Sequence, residues 1–225
     1  EVDQFDPLFF GITPKEAEGM DPQERLFLQT VWHALEDSAY AGERLDDVRD
    51  KTGVFVGVMS GNYDWLGLEN YLAGGSHSAH AAHWSKANRV SYHLDLGGPS
   101  MTVDTACSSS LTALHLACQS ILNGESALAI AGGVNLILHP LHYERLCRLS
   151  MLSHGDRCRS FGEGADGFVD GEGVGAVILK ERSAAERDGD RILAVIEGSA
   201  LNAGGKTKGF TVPNPRAQGQ LVRDA

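Results

Sequence analysis

The chain has 225 residues, of which 42% are hydrophobic, and a formal net charge of −11 at pH 7. This length suits one large domain or two small ones, and the apolar fraction is enough for a sizeable core. The negative charge argues against nucleic acid and anionic membranes as partners, and no run of about 18 apolar residues predicts a transmembrane helix.

The first half of the chain predicts alternating helices and strands. Asp21 is a helix cap, Pro22 takes the first helical position and Glu24 the third, which together indicate a helix start. The predicted elements are a helix from Pro22 to about Tyr40, a buried strand over residues 53–58, a long Gly-, Ser- and Asn-rich loop over residues 59–78 and a helix over residues 81–93.

The second half continues the alternation, which indicates an α/β layered fold. Its predicted elements are a short buried strand 99–103, a helix 108–122, a strand 127–134, a short helix 140–149, strands 173–180 and 191–201, and a helix beginning at 218. The helix 108–122 is apolar on nearly every side, with His115 and Gln119 as its main polar positions. It is therefore predicted to be buried all round, between layers of the fold.

Cys107 lies where the strand 99–103 turns into the helix 108–122, followed by three serines. The free N–H groups and the positive dipole end of a helix favour a thiolate at such a position. The same N–H groups can hold a developing oxyanion. A lone cysteine is more often an inert buried residue, but this position predicts a nucleophile that accepts acyl groups.

The other three cysteines, Cys118, Cys147 and Cys158, show no partner pattern and are predicted to be buried structural residues. Four scattered cysteines without paired spacing suit a reducing cytosol rather than a disulfide scaffold. No signal peptide is visible at the start of the sequence, and we therefore predict a cytoplasmic protein.

Histidines and glycines suggest two further kinds of site. His77, His80 and His83 would span an arc of about 120° on a helix, so a zinc site is conceivable. No acidic or cysteine ligand lies nearby, and we favour a polar surface by the active-site entrance, with no bound metal. His115 lies about 12 Å along the helix axis from Cys107 and is predicted to be a hydrogen-bonded core residue.

The glycine clusters Gly132-Gly133 and Gly171-Glu172-Gly173 do not form a dinucleotide fingerprint, because no Gly-x-Gly-x-x-Gly opens a helix after a strand. Close backbone packing or tight turns are the predicted uses of these glycines. The Gly-x-Ser-x-Gly pattern of serine α/β-hydrolases is also absent from the sequence. We therefore expect no cofactor to bind this domain.

Five segments carry a family resemblance in the same order along the chain. They are Phe5-Asp6-Pro7-Leu8-Phe9-Phe10-Gly11-Ile12, Met20-Asp21-Pro22-Gln23-Glu24-Arg25, Asp104-Thr105-Ala106-Cys107-Ser108-Ser109-Ser110, Ala131-Gly132-Gly133-Val134-Asn135 and Gly164-Ala165-Asp166-Gly167. Together they resemble the ketosynthase (β-ketoacyl synthase) domain of modular polyketide synthases, nearly end to end. Synthases served by a separate acyltransferase are the most similar type, on Ser160-Phe161-Gly162-Glu163-Gly164, Gly204-Gly205-Lys206-Thr207 and Val212-Pro213-Asn214-Pro215.

The resemblance implies a thiolase-like layered fold (α-β-α-β-α). Residues 1–225 would form its N-terminal half, without the family's first strand–helix unit and without the C-terminal half. Cys107 would accept an acyl chain from the phosphopantetheine arm of an acyl carrier protein, with its own backbone N–H as one oxyanion donor. Decarboxylative Claisen condensation with a malonyl-type unit would follow in the complete domain.

The family's condensation also uses two histidines of the second half. None of the nine histidines here lies in the matching motifs, so residues 1–225 alone are expected not to condense acyl units. The alternative is a non-condensing module that relays acyl chains or serves as a scaffold.

The resemblance further implies a role in antibiotic biosynthesis, contacts with other polyketide synthase domains and a homodimer formed through the strand before Cys107. The short, apolar-leaning segment from Pro99 to Thr105 could pair edge to edge with its copy.

Overall fold

The computed structural model describes residues 2–76 and 79–225, and its centre is one four-stranded sheet. Along the chain lie α1 (Pro14–Gly19), α2 (Pro22–Asp37), α3 (Glu43–Asp46), β1 (Thr52–Gly57), α4 (Tyr63–Leu72), α5 (His83–His93), β2 (Ser100–Val103), α6 (Ser109–Leu122), β3 (Leu128–Asn135), α7 (Leu141–Arg148), β4 (Gly173–Lys180), α8 (Arg182–Arg187) and α9 (Pro215–Asp224). No helix in the described ranges is both long and apolar enough to cross a bilayer.

The sheet has the strand order β2-β1-β3-β4. β1 pairs in parallel with both neighbours, so Phe55 lies opposite Met101 on one side and Ala131 on the other. β4 runs antiparallel to β3. Parallel strands need crossover connections: α4 and α5 lie in the connection between the neighbours β1 and β2, and α6 lies in the connection from β2 across β1 to β3.

Helices cover both faces of the sheet, as the alternation of side chains along the strands requires. Val54 and Val56 of β1 belong to a buried cluster with the apolar residues of α2 and α5. Phe55 points the other way and packs with Ala113 and Ala117 of α6. The result is a three-layer α/β/α arrangement, which agrees with the α/β prediction.

A buried ion cluster joins α2 to α5. Asp21 caps α2 by accepting a hydrogen bond of 2.9 Å from the Gln23 backbone N–H, as the sequence predicted. The Lys86 ammonium of α5 lies 2.9 Å from the Asp21 carboxylate, and both side chains are fully buried. Lys86 also donates to the Ala81 carbonyl. Glu24 lies in the same cluster, where burial raises the pKa of its carboxyl.

Two of the predicted elements are wrong. Residues 59–78 are not one long loop, because Tyr63–Leu72 forms α4, whose Trp65 ring packs edge-on against His139 with centroids 5.5 Å apart. Residues 191–201 are not a strand: they pair with no neighbour among the described residues, and Leu193 is 71% exposed. A strand forms only where a partner supplies ladder hydrogen bonds, and periodicity does not reveal the partner.

The elements around Cys107 are less buried than predicted. β2 is an edge strand rather than a buried one, and its Met101 is 39% exposed. α6 is not buried all round, because Leu111 and Leu122 on its outer face are 69% and 73% exposed. Only the inner face of α6, with Ala113 and Ala117, packs on the sheet.

Several helix boundaries also shift. α2 ends at Asp37 rather than near Tyr40, and Ala39 beyond it has a φ of +59°, which ends the helical path. α9 begins at Pro215, three residues before the predicted start, because the Asn214 side chain caps it by accepting from the Arg216 and Ala217 N–H groups.

Replacing Lys86 with Met should lower the free energy of unfolding by about 3–5 kcal/mol, because it leaves the buried Asp21 carboxylate without its cation. Urea denaturation of the complete domain, followed by circular dichroism, measures this change. Lys15→Met at an exposed position is the control and should change stability by less than about 0.5 kcal/mol. Equal stability of the two variants would contradict the importance of the cluster.

Candidate active site

Cys107 lies in a sharp turn between β2 and α6. Ala106 before it has a φ of +56°, in the left-handed region that costs a non-glycine residue about 1–2 kcal/mol. Ser108 after it is the N-cap of α6, so Cys107 precedes the first residue of the helix by two positions, at the positive end of the helix dipole. This confirms the predicted strand-to-helix position, and Cys107 is exposed there.

Short-range hydrogen bonds hold the turn in its strained shape. Asp104 Oδ1 accepts from the Ala106 backbone N–H at 2.9 Å. Ser109 Oγ donates to the Ala106 carbonyl at 2.6 Å and accepts from the Thr105 backbone N–H at 2.9 Å. The Thr105 hydroxyl oxygen lies 2.9 Å from that of Thr112. The hydroxyl residues around Cys107 therefore fix the backbone of the turn.

Glycines let the start of α6 approach the sheet. A Cβ on Gly57 at the end of β1 would lie 2.3 Å from the Ser110 backbone nitrogen. On Gly133 of β3 it would lie 2.8 Å from the Ser110 Cβ. Gly132 likewise lies against the backbone of β4, where its Cβ would meet the Gly175 oxygen at 2.2 Å. The prediction of close packing is confirmed for Gly132 and Gly133.

Gly171 and Gly173 are different, and the same prediction is wrong for them. A Cβ on either residue would meet no atom within 4 Å, and neither residue has a positive φ. Gly57, by contrast, was not singled out from the sequence. The sequence feature that could have identified Gly57 is a glycine at the end of a buried strand, because such a glycine indicates the close approach of another backbone.

An open groove of ≈ 620 Å³ runs beside Cys107, along the start of α6 and the ends of β1, β3 and β4. Its lining is mostly small or apolar, with Val58, Met59, Leu114 and Val134 among its walls. Such a lining suits an extended apolar chain with a few polar groups that fix its orientation.

Asp170 is the one charged residue among the described residues that line this groove. Its carboxylate lies 2.5 Å from His142 Nε2, and both side chains are mostly buried. The contact between His142 and Asp170 is not visible in the sequence, because 28 residues separate the two and only the fold brings them together.

The other three cysteines differ from Cys107 in their surroundings. Cys118 in α6 is half-buried, and burial raises the pKa of its thiol, which disfavours the thiolate. Cys147 and Cys158 are exposed, so their predicted burial is wrong. They lie at the end of the charged helix α7 and in the irregular segment after it, which stay at the surface.

The described histidines do not form a metal site. His77 lies outside the described residues; His80 precedes α5 and His83 is its first residue, so these two do not share a helix. Within residues 2–76 and 79–225, no group of His, Cys, Asp and Glu side chains is arranged to hold a metal ion. His115 is hydrogen-bonded as predicted, with Nδ1 2.9 Å from Ser199 Oγ, but it is half-buried rather than part of the core.

Comparisons with known proteins point to one family. The family model of the β-ketoacyl synthase N-terminal domain matches residues 1–185. Polyketide synthase PksM of Bacillus subtilis (strain 168) is 56% identical over 225 residues, which are 100% of this chain and 5% of PksM. Polyketide synthase ThaG of Burkholderia thailandensis is 54% identical over 224 residues, covering 100% of this chain and 4% of ThaG.

Solved structures give the same result. The oxazolomycin ketosynthase domain OzmH KS7 of Streptomyces albus JA3453 superposes with a TM-score of 0.94 at 57% identity, over 99% of this chain and 38% of that one. The ketosynthase from module 6 of the bacillaene synthase of Bacillus subtilis 168 has a TM-score of 0.89 at 44% identity, with the same coverage. This chain therefore spans well under half of each solved domain.

In the complete domain, iodoacetamide should alkylate Cys107 before the other three cysteines. Cys147 and Cys158 are exposed in the described chain, so accessibility alone does not predict the selectivity; its cause is the helix N-terminus beside Cys107. Mass spectrometry of peptides after increasing labelling times gives the order. Alkylation of Cys147 or Cys158 at the same rate as Cys107 would show that the turn does not activate the thiol.

Proposed function

We propose that Cys107 is the acyl-accepting nucleophile of this chain, which belongs to the β-ketoacyl synthase family. The chain corresponds to the N-terminal part of a polyketide ketosynthase with the thiolase-like fold. The observation that carries the proposal is the position of the exposed thiol, at a strained turn directly before the N-terminus of α6. The apolar groove next to it suits an acyl chain.

The proposed first step is acyl transfer from a phosphopantetheine thioester of an acyl carrier protein. The Cys107 thiolate attacks the thioester carbonyl, and its oxygen becomes an oxyanion that accepts a hydrogen bond from the Cys107 backbone N–H. Collapse of this intermediate expels the pantetheine thiolate, which takes up a proton, and leaves the acyl group on Cys107. The thioester of the carrier is exchanged for a thioester of the enzyme.

The proposed second step is a decarboxylative Claisen condensation. Loss of CO₂ from a malonyl-type thioester leaves an enolate, whose carbon attacks the acyl carbonyl on Cys107. The Cys107 thiolate then leaves, and the extended β-ketoacyl chain remains on the carrier. We place the two histidines of this step in the C-terminal half, because none of the nine histidines of this chain lies in a segment that matches the family's motifs.

The exposed outer face of α6 supports this division of labour. Leu111 and Leu122 are solvent-exposed here, although apolar side chains of this size are usually covered in a large domain. We propose that the C-terminal half packs on this face and completes the α-β-α-β-α layers. Residues 1–225 alone should therefore fail to condense two acyl units.

We also propose that the synthase is of the type served by a separate acyltransferase and that it is located in the cytosol. The 57% identity to the oxazolomycin ketosynthase and the 56% identity to PksM support the synthase type served by a separate acyltransferase. A cytosolic location suits a nucleophile that must remain a free thiol, and the chain has four free cysteines.

Replacing Cys107 with Ala should abolish acyl loading of the complete domain, because no other thiol lies in the turn. Stability should change by less than about 1 kcal/mol, since the side chain is exposed. Intact-protein mass spectrometry with a radiolabelled or mass-tagged acyl thioester measures loading, and Cys158→Ala is the control that should load normally. Loading of the parent without a β-ketoacyl product would favour the relay module over the condensing enzyme.

We also propose a homodimer in which β2 pairs with its copy. β2 is one of the two edge strands, and Met101 in it is 39% exposed, so an Asp at this position would be buried without a partner in the proposed dimer. Met101→Asp should weaken dimerisation by about 2 kcal/mol or more. Sedimentation equilibrium measures the dissociation constant, and unchanged dimerisation would place the interface elsewhere.

A further inference from the structure

Gln23 connects two loops that form the walls of the Cys107 groove. Its side chain is fully buried at the start of α2. Gln23 Nε2 donates to the Ser60 carbonyl at 2.8 Å, and Gln23 Oε1 accepts from the Leu136 backbone N–H at 3.2 Å. Ser60 follows the end of β1 and Leu136 directly follows β3. One amide therefore spans residues 37 and 113 positions away in the sequence.

The residues just before these two attachment points line the groove. Val58 and Met59 precede Ser60, and Val134 and Asn135 precede Leu136. A second, weaker link runs in parallel, because Ser60 Oγ donates to Asn135 Oδ1 at 3.4 Å. The separation of the two walls is thus set by hydrogen bonds behind the groove.

The buried ion cluster holds Gln23 in place. Gln23 Nε2 also donates to Asp21 Oδ2 at 3.1 Å, and the same oxygen lies 2.9 Å from the Lys86 ammonium. Both hydrogens of the Gln23 amide and its oxygen are therefore engaged, so the side chain has one orientation. A chain of contacts runs from α5 through Asp21 and Gln23 to both walls.

We propose that Gln23 is a positioning residue for acyl transfer to Cys107. It does not touch the thiol; it fixes the spacing of the walls that seat the acyl thioester. This inference rests on the proposed function, because it assumes that the groove receives the acyl chain. An apolar side chain would fill the same space but would leave the Ser60 carbonyl and the Leu136 N–H without a partner, and the walls would shift to find new ones.

The test compares two reactions of Cys107 in the complete domain. Gln23→Met keeps the side-chain volume and removes the hydrogen bonds. It should lower the second-order rate of acylation by a model acyl thioester about tenfold, because small displacements of a seat reduce reactivity by such factors. The rate and pH profile of alkylation by iodoacetamide should remain unchanged, since this small reagent does not need the walls.

Leu35→Val is the matched control, a fully buried change in the same helix far from the two loops. If Gln23 had only a structural role, Gln23→Met and Leu35→Val would slow acylation equally for an equal loss of stability. Ser60→Ala is a milder variant that removes only the parallel link and should slow acylation about two- to threefold. It leaves both Gln23 bonds in place. If Gln23→Met does not fold, Gln23→Asn decides the question, because it keeps a buried amide beside Asp21 but is too short to reach both Ser60 and Leu136.

The outcomes separate the two proposals. If the parent domain takes up no acyl group on Cys107, the proposed function fails and the inference fails with it. If the parent is acylated and both Gln23→Met and Ser60→Ala are acylated at its rate, only the positioning role is overturned. The positioning role is supported if Gln23→Met is acylated more slowly but alkylated at the parent's rate, and Leu35→Val shows no such difference.

Discussion

The rest of the structure depends on the close approach of α6 to the ends of β1 and β3. This approach is possible because Gly57 and Gly133 leave no side chain between the strands and Ser110. It brings the N-terminus of a helix to the edge of the sheet where the loops after β1 and β3 also begin. The thiol of Cys107 is carried to the same edge because it precedes the helix by two residues. The Cys107 thiol, the N-terminus of α6 and the groove walls therefore lie together at one edge of the sheet.

This constraint also explains the alanines on the inner face of α6. A helix that starts so close to the sheet has little room for its next turns, and Ala113 and Ala117 pack there against Phe55. Of the larger residues of α6, Leu111 and Leu122 lie exposed on its outer face, whereas Leu114, Leu116 and Ile121 are partly buried against the cluster. On the opposite face of the sheet, the larger side chains Leu28, Val31 and Leu35 of α2 belong to the buried cluster.

The sequence predicted well what depends on neighbouring residues. The Asp21 cap, the strands through Phe55 and Ala131, and the turn at Cys107 are all encoded within a few positions. It failed where the outcome depends on distant residues or on a missing neighbour. Residues 191–201 have a strand's composition but pair with no strand in residues 2–76 and 79–225, and the glycines and serines around α4 obscured its helical pattern. The links from Gln23 to Ser60 and Leu136, and the pair of His142 with Asp170, exist only after folding.

The turn at Cys107 closes its own hydrogen bonds within a very short stretch of chain. Asp104, Thr105, Ser109 and Thr112 bond to one another or to the backbone between them, at separations of no more than seven residues. Its two long-range requirements are glycine positions, which any homologue with glycine there can meet. A recombination between two related genes that falls outside residues 104–112 therefore leaves every bond of the turn within one parent. Residues 104–112 can therefore be exchanged as a unit, while the groove walls come from whichever parent supplies the rest of the sheet.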